Sequence, residues 1–206
     1  YPDSASKIEF DAKHIVFAGR SATSYEFEKP DWWLKQIDQL GQFYVKSQFG
    51  DGPIDYANYR TNLSSSGAHT QNGRQETDTI SRLVYGFASA YLVTGKDVYL
   101  EAANKGTEYL RDHLRFVDQA DDIVYWYHAV DIKANGGEQK ILASEFGDDY
   151  DALPCYEQIY ALAGPVQTYR ITGDKAIYED TRRTINLFNR YYKDQSPAGG
   201  YYSHID

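Results

Sequence analysis

Cysteine occurs once, at Cys155, so no internal disulfide framework holds this chain together. A lone thiol leans towards a reducing compartment. No secretory signal opens the sequence, and a cytoplasmic protein is expected, with Tyr1 in place of a methionine leaving a processed or secreted form open. Basic charge is also scarce. Lys and Arg number 21 against 30 Asp and Glu, a net charge of −9. A surface of that sign repels nucleic acid and anionic membranes. No run of about 18 apolar residues is present to span a bilayer. There is no Cys/His cluster, no glycine-rich phosphate loop and no nucleophile elbow. Metal, nucleotide and serine-hydrolase chemistry therefore lack support, and no cofactor is expected. Asn62-Leu63-Ser64 fits a glycosylation sequon, a triplet that chance often supplies.

Aromatic residues are abundant: 16% of the chain, with 20 Tyr and 3 Trp. Each Tyr taken alone reads as core packing, with a buried ring and a partnered hydroxyl. Their clustering in a few loops points to a carbohydrate cleft, where ring faces stack on sugar C–H faces. Hydrophobic residues at 42% and charged residues at 25% describe a globular chain.

Two segments repeat. Tyr91-Leu92-Val93-Thr94-Gly95 and Tyr169-Arg170-Ile171-Thr172-Gly173 lie 78 positions apart (172 − 94), and each is followed by a helix-like run. Trp126-Tyr127-His128-Ala129-Val130-Asp131 and Tyr201-Tyr202-Ser203-His204-Ile205-Asp206 share a second pattern, 75 positions apart (206 − 131). Ile54-Asp55-Tyr56 reads as a degenerate third copy. Each unit is an inner helix, a Thr-Gly turn, an outer helix and an aromatic loop. Stacked helical hairpins close into toroids or run on as solenoids.

The expectation is an all-α fold, with hairpin repeats forming an incomplete (α/α)6 barrel and short β-like loops at one rim. Residues 1–206 read as one partial domain, the N-terminal portion of a toroid, with 1–28 an irregular arm. Pro30-Asp31 opens a first helix whose apolar stripe is Trp32, Trp33, Ile37, Leu40 and Phe43. Thr77 and Asp78 cap a second, with Ile80, Leu83, Val84, Phe87, Ala88 and Tyr91 on its buried face. Asp97 starts the return helix, whose inner face is Tyr99, Ala102, Ala103, Gly106, Tyr109 and Leu110. Ile123–Val130 reads as a hairpin strand or extended loop. A further helix starts near Leu153-Pro154 and runs through Tyr169, with a kink or loose turn at Pro165. The last spans about Lys175 to Tyr192.

Arg82-Leu83-Val84-Tyr85-Gly86-Phe87-Ala88 running to Thr94-Gly95 resembles the N-acylglucosamine 2-epimerase family, which shows Arg-x-aliphatic-aromatic-x-Phe-Ala ending in Thr-Gly. Tyr156-Glu157-Gln158-Ile159-Tyr160-Ala161-Leu162 resembles its Tyr-Gly-Gln-Ala-Phe-Ala-Leu helix, and Tyr169-Arg170-Ile171-Thr172-Gly173-Asp174 its Tyr-Arg-Ala-Thr-Gly-Asp turn. The resemblance covers roughly residues 77–206. It implies an (α/α)6 barrel and sugar epimerisation or aldose–ketose isomerisation, usually without a required metal. That chemistry removes a proton next to a carbonyl and returns it. The family's two principal histidines lie in the second half of the barrel, so no catalytic pair is named here. Alternatives are a toroid glycoside hydrolase or lyase, and a non-catalytic carbohydrate-binding or structural relative. A monosaccharide or derivative is the expected ligand. The remaining half of the barrel, or a second copy in a homodimer, is the expected protein partner.

Five residues are candidates for substrate binding. Arg82 aligns with the family's substrate-contacting arginine; its competing role is an ion pair with Asp78, and Arg74 is a nearby rival. Tyr156 shares a helix face with Tyr160, and Gln158 can donate and accept to sugar hydroxyls. Glu157 replaces the family's small residue. Trp126 and His128 belong to the aromatic loop, where His128 reads first as an exposed hairpin residue and second as a cleft residue. His69 and His204 carry less weight. Asp148, Asp149 and Asp151 read as a solvated acidic turn before they read as paired glycosidase acids. Cys155 reads as an inert buried thiol.

Overall fold

The computed structural model describes residues 25–70 and 73–206. The chain divides into two compact units, one ending at Gln36 and the other running from Ile37 to Asp206. In the first, the described residues form a 3-10 turn, Glu26–Glu28, and the opening of helix α1, Trp32–Phe49. The rest of the expected arm lies outside the described residues.

The second unit holds the later turns of α1 and four more helices: α2 (Thr77–Thr94), α3 (Asp97–His113), α4 (Cys155–Thr172) and α5 (Lys175–Leu187). Phe188–Tyr192 extends α5 as a wider π turn. Gly95 and Gly173 end α2 and α4 in the left-handed conformation, each donating its N–H four residues back, to Tyr91 and Tyr169. A side chain there would be strained, so the repeated glycine is a repeated stop signal. The buried faces match the periodicity. Ile80, Val84, Phe87 and Ala88 of α2 and all six inner-face positions of α3 are buried. Leu40 and Phe43 of α1 differ: they are exposed and border a groove. The physical reason is that α1 is held from another side. Gly41 receives the ring of Tyr99, whose hydroxyl donates to Asp38.

The inner helices α2 and α4 pack side by side and parallel. Ser81 meets Ala161 and Gly164, and one helix segment further on Gln167 donates to Ser89 Oγ at 3.1 Å. Ser89 and Gln167 are themselves 78 positions apart (167 − 89), so equivalent positions of the repeat meet there, whereas Ser81 meets residues 80 and 83 positions on (161 − 81, 164 − 81). Val84 wedges between two glycines. A Cβ on Gly106 would fall 2.3 Å from Val84 Cγ2, and one on Gly164 2.3 Å from the Ser81 carbonyl oxygen.

α4 runs as one helix through Pro165, so of the two expected outcomes the loose turn does not form. Proline has no N–H to give to the carbonyl four residues back, that of Ala161. The Ser81 hydroxyl supplies it instead, donating to Ala161 O at 3.0 Å while accepting from Gly164 N–H at 2.9 Å. Both residues are fully buried, out of reach of bulk water. Ser81→Ala is expected to lower the unfolding free energy by about 2 kcal/mol, the cost of stranding a buried backbone group. Urea denaturation with an unchanged m-value checks this; a loss near zero would show that α4 repairs its own ladder.

Short strands gather at the N-terminal ends of the inner helices. They are β1 (Arg74–Glu76), β2 (Arg115–Asp118), β3 (Ile123–Trp126), β4 (Ala129–Ile132), β5 (Glu138–Ile141), β6 (Leu153–Pro154) and β7 (His204–Ile205). All pairings are antiparallel, in the orders β1-β4-β5, β2-β3 and β6-β7. The expected single strand over Ile123–Val130 is split between two sheets, because β3 turns back onto β2 while β4 joins β1 and β5. The repeat extends here too. Gln75 pairs with Val130 as Leu153 pairs with Ile205, so each strand before an inner helix receives the aliphatic residue of the following aromatic loop. Thr77 and Asp78 are the first residues of α2 rather than its caps, and the Thr77 hydroxyl donates to the Tyr127 carbonyl.

Candidate functional site

Polar side chains converge where α2 and α4 begin. β1 delivers Glu76 and α2 delivers Asp78 and Arg82. The Tyr127-His128 link between β3 and β4 delivers His128, and α4 delivers Tyr156, Glu157 and Tyr160. A cavity of about 630 Å³ opens beside them, bordered by Arg74, Glu76, His128, Asp131, Lys133 and Glu145 among others. A larger, mostly apolar groove of about 900 Å³ runs between α1, α2 and the 59–65 segment, and Asn62 borders both spaces.

His128 corrects the sequence reading. It is buried, at 4% exposure, rather than lying in an exposed hairpin. Its Nδ1 lies 3.1 and 3.0 Å from the two carboxylate oxygens of Glu157, which is itself buried. Ser144 Oγ donates to the same carboxylate at 2.8 Å, and Phe146 meets the imidazole edge-on, with ring centres 4.8 Å apart. Arg82 is half exposed. It pairs with Asp78 at 2.6 Å, and its guanidinium lies 5.4 Å from the Tyr160 ring centre. Tyr156 is partly exposed beside Tyr160, with rings edge to face. Burial, then the charges of Glu157 and Asp149, push its hydroxyl up to about 12.

Trp126 and Gln158 are brought together, but away from the cavity. Gln158 Oε1 accepts the Trp126 N–H at 2.8 Å and its Nε2 donates to the Trp126 carbonyl at 2.8 Å. The indole N–H is taken by Thr184 Oγ1. Arg74 is also held, by Asp131 on the neighbouring strand and by Glu145. Sequence reasoning did not find Glu76, Ser144 or Glu145 as neighbours of His128. Glu157, noted only as a departure from the family pattern, was the available signal. Among the described residues, no three His, Cys, Asp or Glu side chains gather as metal ligands.

Burial and the neighbouring Asp78 charge raise the Glu76 carboxyl above its ordinary value of 4.5. Asp78 is raised by burial as well, against the pull of Arg82. A carboxyl raised in the folded state opposes folding once ionised. The penalty is absent below the unfolded value and complete above the folded one. Glu76→Gln should therefore melt at a higher temperature than the unmodified protein at pH 7, with the two curves converging as the pH falls to about 4.5. Thermal midpoints measured from pH 4 to 8 check this; a gap that widens towards acid would contradict it.

Comparison with solved structures supplies the frame for this end of the helices. A cellobiose 2-epimerase from Spirochaeta thermophila DSM 6192 matches with a TM-score of 0.63 over 81% of this chain and 39% of its own, at 14% identity. A D-mannose isomerase matches with a TM-score of 0.61 over 83% and 38%, at 19% identity. The fold is that of an incomplete α/α toroid. A glycoside hydrolase family 76 mannosidase from Bacteroides thetaiotaomicron VPI-5482 shares it, with a TM-score of 0.56 over 83% and 42%, at 16% identity. The chain spans about two fifths of the length of these proteins. The resemblance read from the helix motifs thus extends to the fold of sugar epimerases and isomerases. No family model and no curated protein matches the sequence. Among the described residues, no helix is long and apolar enough to cross a membrane.

Proposed function

We propose that this chain is part of an α/α-toroid enzyme acting on a sugar, by epimerisation or aldose–ketose isomerisation through proton removal and return next to a carbonyl. The observation that carries the reading is the gathering of His128, Glu157, Glu76, Asp78 and Arg82 at the starts of two parallel inner helices, where His128 and Glu76 border the polar cavity and Arg82 borders the apolar groove. Proton transfer needs an imidazole or carboxyl at the reacting carbon. A developing enediolate needs cationic groups and helix N-termini. Tyr156 and Tyr160 add ring surface for sugar C–H faces. The match to sugar epimerases and isomerases in fold supports the same reading.

The test is turnover in heavy water by the full-length protein, against aldoses, ketoses and N-acyl hexosamines. Solvent deuterium should enter at C2 of a converted sugar, and silence across the panel would sink the proposal. Arg82→Lys should cut that turnover by about tenfold or more, because Lys loses the planar fork that can hold two oxygens. Its thermal midpoint should barely move, since a half-exposed ion pair contributes only about 0.2–1 kcal/mol. Unchanged turnover would return Arg82 to a purely structural role.

One observation favours a second reading, a glycoside hydrolase or lyase. Glu76 and Asp78 are neighbouring carboxyls raised by burial, as a general acid requires. Release of reducing ends from an oligosaccharide, abolished by Glu76→Gln, would decide for it.

A further inference from the structure

We propose, from the fold alone and whatever the toroid acts on, that the apolar groove along α2 is the seat of a further inner helix of the same full-length polypeptide, running parallel to α2 and packed closely against Gly86.

The repeat picks out the seat. α2 lies on a face of α4 made by Ala161, Gly164 and Gln167. The residues 78 positions earlier are Leu83, Gly86 and Ser89 (161 − 78, 164 − 78, 167 − 78). All three border the 900 Å³ groove. α2 thus turns to the groove the face that α4 turns to α2. The two glycines mark the difference between a filled seat and an open one. A Cβ on Gly164 would fall 2.3 Å from the Ser81 carbonyl oxygen and 2.7 Å from Val84 Cβ, whereas one on Gly86 would meet nothing within 4 Å. Gly86 stands in the middle of α2 without a positive φ, so no turn demands it. Glycine at such a position weakens a helix relative to alanine. A helix that must approach as closely as α2 approaches Gly164 accounts for it.

The groove also constrains what fills it. The helix seated on Gly164 presents Ser81 and Val84, three residues apart. The Ser81 hydroxyl serves the gap left by Pro165. Its counterpart on α2 is Phe87 (165 − 78), which keeps its N–H, so the occupant of the groove needs no hydroxyl. Leu40 and Phe43 of α1, both exposed, wall the groove opposite α2, with Val93 further along. Such walls suit an aliphatic pair at i and i+3 on an amphipathic helix. α4 carries that pair on its own forward face, where Ile159 and Leu162 stand 78 positions after Ser81 and Val84 and Ile159 is exposed.

The fold indicates where the occupant comes from. A ring of stacked hairpins closes only when its last inner helix meets its first. α2 is the first inner helix among the described residues. The solved toroids that match are longer, since this chain spans about two fifths of their length. The closing helix therefore belongs to a later part of the same polypeptide rather than to a second copy stacked head to tail.

The experiment reads the sign of one substitution in the full-length protein. Gly86→Ala should lower the thermal midpoint by roughly 2 °C or more, because the added methyl group meets a closely packed helix. On an open face the same change would raise the midpoint, through helix propensity and a less flexible unfolded chain. A rise or an unchanged midpoint would overturn the proposal. Benzoylphenylalanine placed at Val93 identifies the occupant whatever becomes of Gly86→Ala. Irradiation and mass spectrometry should give an adduct of monomer mass that maps to a helix beyond residue 206. An adduct joining two chains would give the groove to a second copy, and one mapping within residues 1–206 would give it to this segment itself. Either result, or no adduct at all, would overturn the proposal.

Discussion

Asp180→Ala is expected to lower the unfolding free energy by about 4 kcal/mol, the size found when a buried ion pair loses one partner. Asp180 sits on α5 with its side chain 5% exposed. One carboxylate oxygen takes Arg111 Nε, on α3, at 2.6 Å, and the other takes Arg115, at the start of β2. Both guanidiniums are about four-fifths buried, and burial already pulls Arg115 below its ordinary value. Removing the carboxylate leaves two buried cations facing each other. Asp180→Asn, which keeps the shape and one acceptor, should cost clearly less. Urea denaturation of both variants would measure the difference, and equal small losses would mean the arginines swing to water at no cost.

Gln158→Leu should cost a similar amount, about 4 kcal/mol, for a different reason. Its amide serves both main-chain groups of Trp126, which is 1% exposed. On its other side the chain is held by β2, where Arg115 is the partner of Trp126. The Gln158 side chain therefore acts as a one-residue extra strand, and it joins α4 to the sheet. Leucine fills much the same volume but strands one N–H and one C=O, each costing about 1–3 kcal/mol when buried. Loss of stability with a red-shifted tryptophan emission is the expected signature. A loss under about 1 kcal/mol would mean that water or a shifted strand takes over.

The two variants also mark where sequence reasoning stops. The helices were legible because burial imposes a 3.6-residue rhythm, and α2 and α3 keep it without exception at their deepest positions. The 78-residue spacing also marks one contact between α2 and α4, that of Ser89 with Gln167. The stripe on α1 misled, because periodicity says which residues share a face but not whether anything covers it. The strands are two to four residues long, too short to show an alternation, and the pairings β1-β4 and β6-β7 join segments fifty or more positions apart. Gln158 was read as a sugar ligand because its amide can donate and accept; that the partner is a backbone leaves no mark in the sequence. His128 and Glu157 stand 29 positions apart, and only the fold of the intervening loop joins them.

The Ser81 hydroxyl that completes the ladder of α4 has a consequence for how the chain assembles. α4 carries a proline in its third turn and lacks one internal hydrogen bond until α2 lies against it. A helix with that gap gains little from forming early, since nucleation is costly and propagation is interrupted at the gap. α2, which has no such gap and precedes it in the chain, becomes the template on which α4 is finished. The smallest cooperative unit is then the pair of neighbouring inner helices, not the sequential hairpin that the repeat defines. Backbone amides of the two helices should exchange with solvent in step, and Ser81→Ala should let those of α4 exchange first.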